Sequence, residues 1–138
     1  MSCCRYFLGP MLILAAIAGQ PLRAQDLSGI LGAAANQKEA TKVRDGIYFA
    51  SGFGNTFLVT TSAGNAIVDT SMREFAPRHQ KLLQAISDAP IHTIIVTHGH
   101  GDHAGGVKLW RQPDTQVIVQ RNFTDFVDYQ FRLGDFFA

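Results

Sequence analysis

The chain has almost no cysteine and very little net charge. Its only two cysteines, Cys3 and Cys4, stand at the start of 138 residues, which excludes a framework of disulfides. Twelve Lys and Arg against eleven Asp and Glu give a formal charge of +1, without the basic excess that a nucleic-acid binder uses on phosphates. A hydrophobic share of 46% excludes the apolar-poor composition of disordered chains. We therefore expect one globular domain with no nucleic-acid partner.

An uncharged apolar segment lies near the amino terminus, over residues 6–19, with Arg5 before it. It falls short of the ~20 residues that a membrane-spanning helix needs. Leu22 and Ala24 then provide small and apolar positions for cleavage after Ala24. We predict a secretory signal peptide over residues 1–24, a periplasmic or secreted protein, and membrane contact only through this segment. The alternative is an uncleaved anchor.

The rest of the chain is predicted to be a lead-in followed by alternating strands and helices. Residues 25–40 have weak periodicity and are predicted to be a linker or loose helix, and residues 41–138 to be the folded part. Ile94-Ile95-Val96 is apolar at every position, which favours a strand buried on both faces. The spacing predicts a mixed α/β fold, with strands near residues 43–49, 56–61, 66–69, 91–97 and 115–120 and helices over 75–88, 107–111 and from 122 onward.

Three of the five histidines follow that apolar strand within six residues, in the segment Thr97-His98-Gly99-His100-Gly101-Asp102-His103. Ligand sites of α/β folds lie at the carboxyl ends of strands. Alternate positions of the loop allow His98 and His100 to converge on one metal ion, while Asp102 and His103 project toward a neighbouring one. Imidazole nitrogens with a carboxylate oxygen suit Zn²⁺. The alternative is three solvated histidines without a ligand role.

Two zinc ions ~3.5–4 Å apart generate a hydroxide that acts as a nucleophile near neutral pH. Such a hydroxide would attack a scissile group that the metal ions polarise. Asp102 is then a candidate catalytic residue as well as a ligand, since its carboxylate could orient the hydroxide or handle its proton. The segment therefore predicts a metallohydrolase.

The motif His98-x-His100-x-Asp102-His103, followed by Gly105-Gly106, resembles the signature of the metallo-β-lactamase superfamily. Residues 53–59 resemble an early Asn-containing strand of that family, and residues 66–70 its strand ending in a structural Asp. The resemblance, over residues 43–120, implies an αββα sandwich that binds two zinc ions and hydrolyses a small-molecule ester, amide, thioester or sulfate ester. The continuation Val107-Lys108 is most similar to alkyl-sulfatase-like members, with a β-lactam or a thioester as the alternative substrate.

Three residues outside the motif also receive an interpretation. Asp69, at a strand end, could accept a hydrogen bond from a metal-binding histidine and fix its tautomer; the alternative is a turn-forming Asp. His79 in mid-helix and His92 at a strand start are interpreted as core or partly exposed residues rather than ligands.

The resemblance covers only the first half of the superfamily's sandwich. The family takes a further His, a bridging Asp and a last His from the second half, whereas His103 is the last histidine here. A catalytic zinc typically has three protein ligands, and each predicted pair offers two. We therefore expect a truncated reading frame, weakly active or inactive alone, whose partner is the missing second half. The competing hypothesis is an exported non-catalytic fragment or interaction module, and the oligomeric state is left open.

Overall fold

A computed structural model describes residues 36–137, with side chains up to Gly134. The predicted signal peptide and most of the predicted linker lie outside the described residues. The strands are β1 (Thr41–Arg44), β2 (Ile47–Ala50), β3 (Thr56–Thr61), β4 (Gly64–Val68), β5 (Ile91–Ile95) and β6 (Gln116–Ile118). The helices are α1 (Ala76–Gln84), α2 (Gly101–Ala104), α3 (Val107–Trp110) and α4 (Phe123–Phe137).

The six strands form one sheet in chain order. Neighbouring strands from β1 to β4 are antiparallel, whereas β4, β5 and β6 are parallel. Parallel neighbours need a crossover connection, which α1 provides between β4 and β5, and α2 with α3 between β5 and β6. The predicted mixed α/β architecture is confirmed. Its consequence is that β4 and β5 end at the same edge of the sheet.

The core lies on one face of the sheet, beneath α1 and α3. Leu58, Ile67 and Ile94 on three adjacent strands are fully buried with Leu83 of α1 and Trp110 of α3. Alternation along each strand turns every second side chain toward these helices. The apolar pattern of the sequence therefore determines the face of the sheet on which α1 and α3 pack.

The opposite face of the sheet carries an apolar row that runs across five strands. Cross-strand register aligns Phe49, Phe57, Val68, Ile95 and Ile118. Ile95 is 37% exposed and Ile118 50% exposed. The expectation that β5 is buried on both faces is therefore wrong at Ile95, because the described residues place no complete second layer over this face.

Two local expectations also differ from the structure. The predicted strand 43–49 divides into β1 and β2, because Gly46, with φ of 76°, turns the chain between them. The glycine-rich segment after β5, expected to be a loop, contains the short helix α2, which is closed by hydrogen bonds from the amides of His103 and Ala104 to the carbonyl of His100.

Within residues 36–137, no helix is both long enough and apolar enough to cross a membrane.

Candidate metal centre

The predicted metal ligands lie at the edge where β4 and β5 end. His98 and His100 follow β5, Asp102 and His103 lie on α2, and Asp69 follows β4. The amide of Asp69 donates to the carbonyl of Ile95 at 2.9 Å, which continues the β4–β5 pairing to this edge. The parallel register of the two strands thus brings residues about thirty positions apart into one site.

Asp69 is the hub of hydrogen bonds beneath the histidines. Its carboxylate, on a residue only 6% exposed, accepts from the amide of Thr97 at 2.8 Å and from the Thr97 hydroxyl. His103 Nδ1 lies 2.8 Å from its second oxygen. These three donors satisfy both oxygens of the buried carboxylate. Asp69 therefore joins the end of β4 to the end of β5 and to α2.

The same network determines which ring nitrogens are free. Because a carboxylate only accepts, Nδ1 of His103 carries the proton that it donates to Asp69. The Thr97 hydroxyl donates to Asp69 and lies 3.0 Å from Nδ1 of His98, so it accepts from that nitrogen. These assignments follow from the network of partners. They leave Nε2 of both His98 and His103 unprotonated, with a lone pair that can bind a metal.

The four candidate ligands lie close together in pairs. The ring centroids of His98 and His100 are 4.7 Å apart, and those of His98 and His103 are 4.0 Å apart. Asp102 Oδ2 lies 3.3 Å from Nε2 of His103. Within the described ranges, no three His, Cys, Asp or Glu side chains are arranged to hold one metal ion. Imidazole nitrogens and a carboxylate oxygen are the kinds of donor that zinc binds. The described residues bring these donors together in pairs, without a group of three around one position.

Several residues that build the site were not identified from the sequence. Thr97 links His98 to Asp69, and the Thr70 hydroxyl donates to the carbonyl of His103 at 2.8 Å. Asp69 and Ser71 both have left-handed backbone angles, with φ of 55° and 60°, a strained conformation that tends to persist at functional sites. The signal available in the sequence was the polar run that interrupts an apolar pattern directly after β4.

Comparison with protein families gives one match, over 68 of the 138 residues, which is just under half of the chain. Residues 51–118 match the family model described as the metallo-β-lactamase superfamily. This range includes Asp69 and the whole histidine motif. Among curated proteins, none matches the chain by sequence.

Solved structures share the fold. The sec-alkylsulfatase Pisa1 of a Pseudomonas species is 21% identical with a TM-score of 0.62, over 69% of this chain and 17% of its own. A metallo-β-lactamase of Cronobacter sakazakii is 24% identical with a TM-score of 0.58, over 69% of this chain and 38% of its own. The subclass B3 metallo-β-lactamase BJP-1 of Bradyrhizobium japonicum is 23% identical with a TM-score of 0.57, over 64% and 35%. The chain thus spans well under half the length of each.

Substitution of Asp69 tests whether its carboxylate holds Thr97 and His103 in place. We expect Asp69→Asn to lower the free energy of unfolding by about 1–3 kcal/mol, because its amide group cannot accept from all three donors. We also expect His103 to lose its single Nδ1–H tautomer. Urea unfolding and ¹⁵N NMR of the imidazole ring measure the two effects.

Asp102→Asn is the matched control, because the side chain of Asp102 is 30% exposed and its Oδ2 lies 3.3 Å from the unprotonated Nε2 of His103. It should change stability by less than about 1 kcal/mol. Equal losses in the two variants, with an unchanged His103 tautomer in Asp69→Asn, would contradict the assigned role of Asp69.

Proposed function

With residues 51–118 identified as part of a metallo-β-lactamase superfamily domain, we propose that the protein is a zinc-dependent hydrolase. Its zinc ligands are His98, His100, Asp102 and His103, and Asp69 fixes the orientation of His103. The single observation that carries the proposal is the hydrogen-bond network on Asp69, which commits Nδ1 of two histidines and leaves Nε2 of both as lone pairs at the sheet edge.

The chemistry divides between metal and protein. When held by His98, His100, Asp102 and His103, zinc would supply Lewis-acid chemistry that activates water near neutral pH. Asp102, whose carboxylate is partly exposed beside His103, orients a nucleophilic water and holds its proton as the substrate bond breaks. Thr97 and Asp69 keep the neutral rings of His98 and His103 in tautomers that can bind a metal through Nε2, and fix the orientation of both rings.

The remaining ligands are proposed to come from polypeptide beyond residues 36–137. Two pairs of side chains leave each zinc short of three protein ligands, and the chain spans 35–38% of the lactamases that it matches in fold. The apolar row from Phe49 to Ile118 is where a second sheet would pack to complete an αββα sandwich. The competing proposal, an exported non-catalytic fragment or interaction module, uses the same apolar row as its interface.

The substrate is proposed to be a sulfate ester. The support is the motif's continuation through Gly105-Gly106-Val107-Lys108, together with the fold shared with an alkylsulfatase. The β-lactamases of similar fold support a β-lactam as the alternative, and a thioester stays a third. We also propose, from the apolar segment and cleavage pattern of residues 1–24, that the protein acts in the periplasm or outside the cell.

Zinc titration by calorimetry tests the metal site. We expect the 138-residue chain to bind zinc weakly, and His100→Ala to weaken that binding by about 10-fold or more, since even outer partners of a ligand contribute this much. His92→Gln is the matched control, because His92 lies at the opposite end of β5 from the motif.

Zinc binding that responds equally to His100→Ala and His92→Gln would contradict the assigned ligands. Tight binding of two zinc ions by the 138-residue chain, with hydrolytic turnover, would contradict the need for further ligands.

A substrate panel tests the reaction. We expect a version of the chain extended to the full length of a superfamily domain to hydrolyse a sulfate ester faster than a β-lactam or a thioester, and to lose turnover on zinc chelation. Turnover is measured by product release, with Asp102→Ala as the inactive control. Hydrolysis of the β-lactam alone would contradict the sulfate-ester assignment.

A further inference from the structure

His79 is a buried histidine that the proposed metal chemistry does not use. It lies on α1, is fully buried, and both of its ring nitrogens have partners. Nε2 donates to the carbonyl of Ser51 at 3.0 Å, and Nδ1 lies 2.9 Å from the hydroxyl of Thr56. Since a carbonyl only accepts, Nε2 carries a proton, and in a neutral ring Nδ1 then accepts from the Thr56 hydroxyl. The two contacts thus satisfy the one donor and one acceptor of a neutral imidazole.

The surroundings of His79 favour this neutral form. Burial lowers the pKa of His79 below its ordinary value, the carbonyl of Ser51 opposes that effect, and the nearby Arg78 lowers the pKa further. Arg78 itself donates to the carbonyls of Gln37 and Ser51. The hydrogen bonds of His79 are thus maintained near neutral pH.

The two partners of His79 are the two ends of one loop, the β2–β3 loop of residues 51–55. Ser51 follows the end of β2, and Thr56 begins β3. Within the loop, the side chain of Asn55 accepts from the amide of Gly52 at 3.4 Å. A Cβ atom at Gly52 would lie 2.6 Å from Nε2 of His79, so the loop passes the ring without room for a side chain. His79 therefore clamps the loop from inside the core.

The tip of the β2–β3 loop rests on the metal motif. Gly54 has φ of 76°, and a Cβ atom there would lie 1.8 Å from the carbonyl oxygen of Asp102. The neighbouring carbonyl of Phe53 accepts from the hydroxyl of Ser71 at 3.0 Å, which ties the tip to the turn after β4. Backbone therefore packs directly on backbone at Asp102, and a shift of the loop displaces that residue.

We propose that His79 is a positioning residue that holds Asp102 in place by clamping the β2–β3 loop against it. The contact runs from His79 to Ser51 and Thr56, through the loop, and from Gly54 to Asp102. The expected effect of His79 on zinc affinity rests on the proposed function. The expected effect of His79 on the rigidity of α2 does not, because it depends on packing alone.

His79→Gln tests the proposal in the 138-residue chain, with Leu83→Val as the matched control. Both residues are buried on α1, but Leu83 belongs to the apolar core, whereas His79 hydrogen-bonds both ends of the loop. Amide hydrogen exchange gives the readout without metal. We expect His79→Gln to accelerate exchange at least ten-fold in both residues 51–55 and residues 101–104, and Leu83→Val to accelerate neither relative to the rest of the chain.

Zinc calorimetry gives the second readout. We expect His79→Gln to weaken zinc binding by about ten-fold, at the lower end of the range for residues that orient ligands. That effect should vanish in the Asp102→Ala background, where a merely structural effect of His79 would persist. Should His79→Gln fail to fold, Thr56→Val removes one of the two contacts while keeping the shape of the side chain.

Faster exchange in residues 51–55 with unchanged exchange in residues 101–104 would overturn the proposal. So would equal acceleration by Leu83→Val, since that would make loss of stability the cause. Absence of zinc binding by the unsubstituted chain would overturn the proposed function and leave the exchange result to decide the role of His79.

Discussion

The hydrogen bonds that converge on the Asp69 carboxylate hold the candidate site together. Asp69 accepts from the amide and hydroxyl of Thr97 and from Nδ1 of His103, so one buried group connects the ends of β4 and β5 to α2. An unmatched carboxylate at this depth would be costly, and each of these donors offsets that cost. The Nδ1–H tautomers of His98 and His103, and hence their unprotonated Nε2 nitrogens, follow from this arrangement.

A second set of contacts approaches the site from the antiparallel side of the sheet. The β2–β3 loop is clamped by His79 and seats Gly54 on Asp102, while Ser71 fixes the tip of the loop. The candidate ligands thus follow a parallel strand, and the antiparallel β2–β3 hairpin supplies the surface that packs against Asp102. Both halves of the mixed sheet are needed to define the position of Asp102, which explains why the motif alone is an incomplete description of the site.

Much of this arrangement could be predicted from the sequence. The apolar run of Ile94-Ile95-Val96 and the adjacent histidines locate a strand with a site at its end, because residue type and spacing are local information. The partnership of Thr97 with Asp69, and of His79 with Ser51, depends on residues 28 positions apart, and no local pattern encodes them. The exposure of Ile95 could not be predicted either, because an apolar side chain is apolar whether or not a second layer covers it.

The central proposal is that His98 and His103 bind zinc through Nε2 nitrogens that the Asp69 network leaves unprotonated. ¹⁵N NMR of the imidazole rings during zinc addition tests it most directly. The account predicts that zinc changes the ¹⁵N chemical shifts of Nε2 in His98 and His103, while Nδ1 of both rings stays protonated. It also predicts that the ring nitrogens of His79 and His92 do not shift. Unperturbed motif histidines at saturating zinc, or a response confined to His92, would contradict it.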